Sequence, residues 1–259
     1  DMAGVVPGNV DLIICATSTP DYTFPSTAVL IQADLGTKGA AFDVQAVCSG
    51  FIYALTMADS LLTTGQFQRA LVIGSDIFSR ILNWEDRTTC VLFGDGAGAV
   101  LLERGTDVVR GRGARGILRT TLGSDGNFAH LLNTTGGVGQ TQTAGYIEMQ
   151  GRELYRHAVT RMSGVVTDLL AAENLTTQDI DWLIPHQANI RIMTTVAEKL
   201  GIPAEKVVVT VDRHANTSAA TIPLALDWAQ AQGYFKPGDL LALEAFGAGL
   251  TWGGALLRW

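Results

Sequence analysis

The sequence predicts an α/β protein made of two similar halves, with mainly parallel sheets that helices cover on both faces. Continuous apolar runs alternate with segments whose apolar residues recur at helical spacing, a pattern typical of buried parallel strands joined by helices. The same order of elements occurs twice, which indicates an internal duplication. The corresponding segments are 11–16 and 181–184, the strand and helix at Cys48 and those at Asn216, 71–76 and 240–245, and 93–103 and 246–259.

The elements of the first half each carry a local signal. Ser26 and Gly36 are typical helix-capping residues, so a helix is predicted between them at 28–35. The glycine-rich run at 94–98 is not a nucleotide-binding loop, because a strand-like run follows it where such a loop must open a helix. The other predicted elements are strands at 11–16, 43–47 and 69–76, a helix at 51–62, a polar connection at 79–89, and a strand, glycine turn and strand at 90–103.

The second half begins with a polar, glycine-rich stretch at 105–145, which is interpreted as a surface excursion. An amphipathic pattern then predicts a long helix at 153–173. The elements predicted after it are a strand at 181–184, a helix at 188–200, a strand at 207–211, a turn at 212–218, a helix at 219–232, and a strand, glycine turn and strand at 240–257.

Composition limits the possible functions. The 259 residues are 47% hydrophobic, so a large core can form, and a formal net charge of −7 argues against general nucleic-acid binding. No apolar run reaches the roughly 20 residues of a membrane span and no secretion signal opens the chain, which predicts a cytoplasmic protein. Three widely spaced cysteines fit neither a disulfide framework nor a zinc site, and Cys15 and Cys90, in apolar runs, are expected to be structural.

Three reactive side chains lie at predicted carboxyl ends of strands, where α/β proteins bind ligands: Cys48, His186 and Asn216. Cys48 precedes a helix whose positive end favours a thiolate of lowered pKa. A histidine and an asparagine together can hydrogen-bond a developing oxyanion. Taken singly, each also fits a plain structural role, as a small buried hydrophobe, an interior histidine, and a turn or cap residue.

Five motifs follow one another along nearly the whole chain and include all three reactive residues. They are Ala-Val-Cys-Ser-Gly-Phe at 46–51, Phe-Gly-Asp-Gly-Ala-Gly at 93–98, Ile-Pro-His-Gln-Ala-Asn at 184–189, His-Ala-Asn-Thr-Ser at 214–218, and Phe-Gly-Ala-Gly-Leu-Thr-Trp-Gly at 246–253. Together, and in this order, they closely resemble the motifs of the β-ketoacyl-acyl carrier protein synthase III family, the condensing enzymes that start type II fatty acid synthesis.

The resemblance implies the thiolase fold, a duplicated αβαβα sandwich with mainly parallel mixed sheets, divided into halves at 1–112 and 113–259. It implies that Cys48 accepts a short acyl group from coenzyme A, while the amides of Cys48 and Ala248 hold the oxyanion. Malonyl-acyl carrier protein is then decarboxylated, His186 and Asn216 stabilise the enolate, and the product is a 3-oxoacyl-acyl carrier protein. No metal or redox cofactor is expected, and coenzyme A enters as the substrate thioester.

Further positions carry over from the same resemblance. A homodimer is implied, because Phe24 matches a residue that crosses the dimer interface into the partner's pocket. An acidic carrier protein is expected to dock on Arg191, Lys199 and Arg156, although Glu198 stands where relatives often have another lysine. The positions that match coenzyme A or acyl-pocket residues are Arg87, Phe93, Met149, Gly151, Phe246 and Phe24.

Several alternatives stay open. Family members have roughly sixty further residues at the start, including a first strand and helix, so the chain is expected to be a fragment. A related Cys-His-Asn ketosynthase of secondary metabolism, a non-condensing acyl- or carrier-binding subunit and, less favoured, a papain-like thiol hydrolase are the other functions considered. The acyl chain length and the choice between malonyl-coenzyme A and malonyl-carrier protein cannot be read from the sequence.

Overall fold

The computed structural model describes residues 4–105 and 115–259, and within these ranges it has ten β-strands and seven α-helices. The strands are Leu12–Ala16 (β1), Ala40–Val44 (β2), Arg69–Ile77 (β3), Asp95–Glu103 (β4), Gly116–Ser124 (β5), Leu132–Thr134 (β6), Ile147–Met149 (β7), Trp182–Pro185 (β8), Leu240–Gly247 (β9) and Thr251–Arg258 (β10). The helices are Thr27–Leu35 (α1), Gly50–Thr63 (α2), Val138–Thr141 (α3), Gly151–Ala172 (α4), Ile190–Leu200 (α5), Val211–His214 (α6) and Thr221–Ala231 (α7).

Two four-stranded sheets form the framework, and β6 and β7 make a separate hairpin. The first sheet has the order β2-β1-β3-β4, with β1 parallel to β2 and β3 and with β4 antiparallel to β3. The second has the order β5-β10-β9-β8, with β8 parallel to β9 and both other pairings antiparallel. Both sheets are therefore mixed.

The strand pairing supports the predicted duplication. Strands β1, β3 and β4 correspond to β8, β9 and β10, and a single parallel bridge between Leu183 and Val207 takes the place that β2 has beside β1. Strand β5 lies on the outer edge of β10. Among the described residues, no strand occupies the equivalent edge of β4.

Helices α2 and α7 lie between the two sheets, since their apolar residues share one core with residues of β1, β3 and β9. Helix α1 covers the other face of the first sheet, and α4 and α5 cover the other face of the second. The resulting helix–sheet–helix–sheet–helix order is the predicted thiolase-like sandwich. Strands β1 and β9 are buried along their whole length, which explains the apolar run at 12–16 and the run at 240–247, where Glu244 is the only charged residue.

Three predicted elements are wrong. The segment 90–103 contains a single strand, β4, because the glycines at 96 and 98 lie within it and pair with β3. The segment 207–211 makes only the bridge at Val207 before α6 begins. The stretch 105–145 is more than a surface excursion, since β5 pairs with β10 along eight positions of the second sheet. Because β5 is only partly buried, it contains polar and glycine residues, and these gave no strand pattern in the sequence.

Two further predictions concern the whole chain. The predicted boundary between residues 112 and 113 lies outside the described residues, so the division into halves at that point stays a prediction. Among the helices of the described ranges, none combines the length and the apolar character that crossing a bilayer requires. The cytoplasmic location stays a prediction.

Candidate active site

One cavity of about 230 Å³ brings together the three reactive side chains that the sequence singled out. Cys48, His186 and Asn216 all line it, although they come from different elements and are all buried. The other predicted site residues that line the same cavity are Phe93, Met149, Gly151, Arg191 and Phe246.

Cys48 lies in a 3₁₀ turn, Val47–Ser49, immediately before α2. Val47 has φ of +47°, a left-handed conformation that a β-branched residue rarely adopts, so the surrounding contacts must hold this turn. Two of those contacts come from the far end of the chain: the Thr251 hydroxyl donates to the Ala46 carbonyl (3.0 Å), and the Ser49 hydroxyl donates to the Thr251 carbonyl (3.1 Å).

Gly247, the last residue of β9, lies directly against this turn. A Cβ atom at position 247 would come within 2.8 Å of the Cys48 amide nitrogen and 3.1 Å of its Cβ. Only glycine leaves the space that the Cys48 backbone occupies. The end of β9 therefore fixes the position of the cysteine.

Burial raises the pKa of the Cys48 thiol to about 12. The Ser218 hydroxyl and the Cys48 amide lower the pKa, whereas the negative charge of Asp76 raises it further. The Ser218 hydroxyl is close to both Cys48 and Asp76, but its geometry toward them falls short of a full hydrogen bond. The predicted thiolate is thus wrong for the unliganded site, because desolvation outweighs the helix N-terminus.

His186 follows β8 directly, and its amide donates to the Glu244 carbonyl of β9 at 2.8 Å. The side chain is 1% exposed, and its Nδ1 atom lies 2.7 Å from the Thr221 hydroxyl on α7. Burial lowers the pKa of His186 to about 3, so the imidazole is neutral in the resting site.

Asn216 is held on both sides by its backbone. Its amide donates to the Leu92 carbonyl (3.0 Å), and its carbonyl accepts from the Gly94 amide (2.9 Å). The side-chain oxygen accepts from the Ser218 amide at 2.9 Å. Since that oxygen can only accept, the NH₂ group of Asn216 is the part of the side chain that can donate to a ligand in the cavity.

Comparison with known proteins identifies the family. A family model described as "3-Oxoacyl-[acyl-carrier-protein (ACP)] synthase III" matches residues 42–126, and the C-terminal model of the same family matches 170–259. The β-ketoacyl-[acyl-carrier-protein] synthase III of Erythrobacter litoralis is 56% identical over 260 residues, covering 100% of this chain and 80% of the relative. The chain belongs to the 3-oxoacyl-[acyl-carrier-protein] synthase III family.

Solved structures agree with membership of the synthase III family. The crystal structure of the synthase III from Aquifex aeolicus has a TM-score of 0.92 and 47% identity, covering 99% of this chain and 80% of the other. A more distant neighbour is the priming β-ketosynthase from the R1128 polyketide pathway, with a TM-score of 0.88 and 31% identity over 99% of this chain and 77% of the other. These likenesses confirm the predicted fold.

The cavity of this synthase III chain does not contain all of the predicted residues. Arg156 lines an adjacent depression, which shares Gly151 with the cavity. Lys199 is exposed on α5, eight residues and so about 12 Å along the helix from Arg191. Arg87 is exposed in the loop after β3, and Phe24 is 83% exposed in the loop before α1.

Ala248 follows β9 in the turn that leads to β10. Within residues 4–105 and 115–259, neither its amide nor the Cys48 amide donates a hydrogen bond to another residue. Both amides are therefore available to a ligand.

Sequence reasoning missed four residues of the site: Thr221, Ser218, Asp76 and Glu244. Thr221 and Ser218 follow Asn216 closely, so their distance from it in the sequence was a usable signal. Asp76 is the last residue but one of β3 and accepts from the Ser18 amide (2.7 Å) and the Thr19 hydroxyl (3.0 Å). Nothing in the sequence distinguishes it from a surface aspartate.

Proposed function

We propose that this chain catalyses the decarboxylative condensation of a short acyl-coenzyme A, such as acetyl-coenzyme A, with malonyl-acyl carrier protein. The product is a 3-oxoacyl-acyl carrier protein, and the reaction initiates fatty acid synthesis. The observation that carries the proposal is the meeting of Cys48, His186 and Asn216 in one cavity. A cysteine nucleophile next to two groups that can bind an oxyanion suits acyl transfer followed by carbon–carbon bond formation.

In the first step, the Cys48 sulfur attacks the thioester carbonyl of the acyl-coenzyme A, and coenzyme A leaves. The oxyanion of the tetrahedral intermediate is bound by the amides of Cys48 and Ala248, which have no other acceptor among the described residues. Gly247 supports this role by keeping the Cys48 turn against the end of β9.

In the second step, the malonyl group loses carbon dioxide, and the charge develops on its thioester oxygen. Asn216 donates to that oxygen through its NH₂ group, and His186 is the second residue that stabilises the charge on it. The carbanion then attacks the acyl-Cys48 carbonyl. The thioester activates the acyl group and release of carbon dioxide drives the condensation, so these steps require no metal or redox cofactor.

The carrier protein is proposed to dock at the mouth of the cavity. Arg191 is exposed at the start of α5 and lines the cavity, and Arg152 and Arg156 line the adjacent depression. Positive charge at this position suits an acidic carrier protein. Replacing Arg191 with alanine should raise the KM for malonyl-carrier protein and leave acylation by acetyl-coenzyme A unchanged; equal effects on both would oppose this docking surface.

A homodimer is proposed on the basis of the segment before α1. Phe24 is 83% exposed and Tyr22 is 60% exposed, and large apolar side chains that are exposed together are typical of interfaces. Sedimentation of the protein and of Phe24→Asp tests this point, since a monomeric wild type would contradict it.

The deciding experiment for the function is intact-protein mass spectrometry after brief incubation with acetyl-coenzyme A. Wild type should gain one acetyl group, whereas Cys48→Ala should gain none. Cys15→Ala is the matched control, because Cys15 is also buried but lies in β1 outside the cavity. No acylation by any short acyl-coenzyme A would contradict the proposed function.

The likeness to the priming ketosynthase supports a second candidate, in which this chain is a condensing enzyme of secondary metabolism that uses Cys48, His186 and Asn216. The 56% and 47% identities to two synthase III proteins, higher than the 31% identity to the priming ketosynthase, favour the first. Acylation rates over a series of acyl-coenzyme A chain lengths would separate the two.

A further inference from the structure

Two hydrogen bonds connect His186 to the backbone through Thr221. The Nδ1 atom of His186 lies 2.7 Å from the Thr221 hydroxyl oxygen, and that hydroxyl lies 3.0 Å from the Ser218 carbonyl oxygen. All three residues are at most 1% exposed, so water does not compete for these contacts. Neither the sequence motifs nor the family comparison assigns a role to Thr221.

Only one assignment of the protons makes both of these contacts hydrogen bonds. A carbonyl oxygen only accepts, and a hydroxyl has one proton to donate. The Thr221 proton must therefore point to Ser218, as threonine hydroxyls in helices often do toward a carbonyl three residues earlier. Toward His186 the hydroxyl presents a lone pair, so Nδ1 must carry the imidazole proton. The opposite assignment would place two lone pairs 3.0 Å apart in a dry site.

The tautomer determines what the other ring nitrogen can do. His186 is neutral in the resting site, so a proton on Nδ1 leaves Nε2 as an acceptor. Since Nδ1 is occupied by Thr221, Nε2 is the nitrogen left for the cavity that Cys48 also lines. A proton donor, the Cys48 thiol, and a proton acceptor, the His186 Nε2 atom, therefore line the same cavity.

We propose that Thr221 is a positioning residue that fixes the proton of His186 on Nδ1, so that Nε2 accepts the Cys48 thiol proton during acyl transfer. This inference rests on the proposed function and adds the proton path to it. It places Thr221 one step behind the residue that touches the reacting atoms.

The proton balance closes over both steps. The sulfur–acyl bond at Cys48 forms while its proton moves to Nε2, and coenzyme A leaves as a thiolate that takes a proton from solvent. Malonyl-carrier protein then enters, its carboxylate stabilises the imidazolium, and the new Nε2–H donates to the malonyl thioester oxygen as carbon dioxide leaves. When condensation releases the Cys48 thiolate, the proton returns from Nε2 to sulfur.

The first test is the ¹⁵N NMR spectrum of the unliganded protein labelled with ¹⁵N-histidine at neutral pH. The chain has four histidines, so a difference spectrum with His186→Gln assigns the signal. We expect a protonated, pyrrole-type Nδ1 and an unprotonated, pyridine-type Nε2. A protonated Nε2 in wild type would overturn the proposal, whatever the variants do.

The second test compares Thr221→Val with Thr221→Ser. Valine keeps the shape but removes the hydroxyl, so the Nδ1–H preference should be lost and acylation by acetyl-coenzyme A should slow about tenfold. Serine keeps the hydroxyl and should retain the wild-type tautomer and rate. Thr167→Val is the matched control, since Thr167 also donates to a helical carbonyl but lies on the exposed side of α4.

The two tests separate this inference from the function on which it rests. If Thr221→Val keeps both the wild-type tautomer and the wild-type acylation rate, the positioning role is wrong while the acyl transfer stands. If wild type itself is not acylated, the proposed function and the proton transfer both fail, and the NMR spectrum still shows whether the Nδ1–H assignment is correct.

Discussion

At the scale of single residues, burial keeps Cys48 and His186 neutral. Charges near a helix N-terminus are worth about 0.3–1 kcal/mol. The helix N-terminus lowers the pKa of a thiol, whereas full burial raises it by up to about 3–5 units, or roughly 4–7 kcal/mol. Desolvation therefore dominates, and Cys48 must lose its proton during the reaction with substrate rather than before it.

Glu244 is a second residue whose state follows from burial. It is fully buried in β9, and neither of its carboxylate oxygens has a hydrogen-bond partner among the described residues. Burial raises the pKa of Glu244 well above its ordinary value, so the carboxyl is kept protonated. Its backbone carbonyl supports His186, which makes this carboxyl a neighbour of the active site.

Glu244→Gln should change how stability depends on pH. The raised pKa means that the folded state holds a proton that the unfolded state loses above about pH 4.5. Wild type should therefore lose stability relative to the glutamine variant as pH rises, by at most about 1.4 kcal/mol per pH unit. Urea unfolding of both proteins between pH 4 and 8 measures the difference, and a constant difference would show that Glu244 is ionised in the fold.

At the scale of an element, α1 is capped by a residue from another strand. Ser26 is its N-cap as predicted, but the hydroxyl contact to the Val29 amide is long, at 3.4 Å. The Asp43 carboxylate of β2 accepts from the Thr27 amide at 2.7 Å and the Ala28 amide at 2.8 Å. Asp43 thus satisfies two free amides at the positive end of the helix and ties α1 to the strand that leads to Cys48.

Asp43→Ala should lower the free energy of unfolding by about 2 kcal/mol, because two charge-assisted hydrogen bonds to a helix N-terminus are lost. Chemical denaturation measures this. Asp34→Ala is the matched control: Asp34 is exposed in the last turn of the same helix, where a negative charge opposes the helix dipole, so its removal should not destabilise. Equal losses in the two variants would contradict the capping role.

At the scale of the whole molecule, the two halves meet directly behind the active site. Gly74 of β3 packs against the backbone of Ala219 and Ala220, in the turn between Asn216 and α7. Asp76, two residues further on, accepts from the Ala219 amide at 3.3 Å. The first half thereby positions the asparagine segment of the second.

Gly74→Ala should destabilise the protein by about 1–3 kcal/mol and slow acylation as well, because a Cβ at this position overlaps the Ala219 carbonyl group. Gly164→Ala is a control for which we expect the opposite change in stability. Position 164 lies in α4 with no atom near the added Cβ, so alanine should stabilise the helix by about 0.5–1 kcal/mol. Thermal unfolding and acylation rates measure both variants. A Gly74→Ala protein with wild-type stability and wild-type acylation would contradict the close packing between the two halves at this position.

Local sequence determined most of the fold. The apolar runs at 12–16 and 240–247, the capping pair Ser26 and Gly36, and the amphipathic pattern of α4 each specify an element from neighbouring residues alone. The repeated order of these elements was enough to predict two similar halves. Prediction from local sequence failed where pairing with a distant strand decides the structure. In β5, polar residues form a strand only because β10 lies beside them.

The identity of the reactive residues was also determined by the sequence, since Cys48, His186 and Asn216 each stand in a recognisable motif. Their protonation states were decided only by tertiary structure. The pKa of Cys48 depends on how much water the packed halves exclude, and the tautomer of His186 depends on Thr221, 35 residues away in the chain. Desolvation and hydrogen bonds between distant segments act through space, so no local pattern of residues could have specified them.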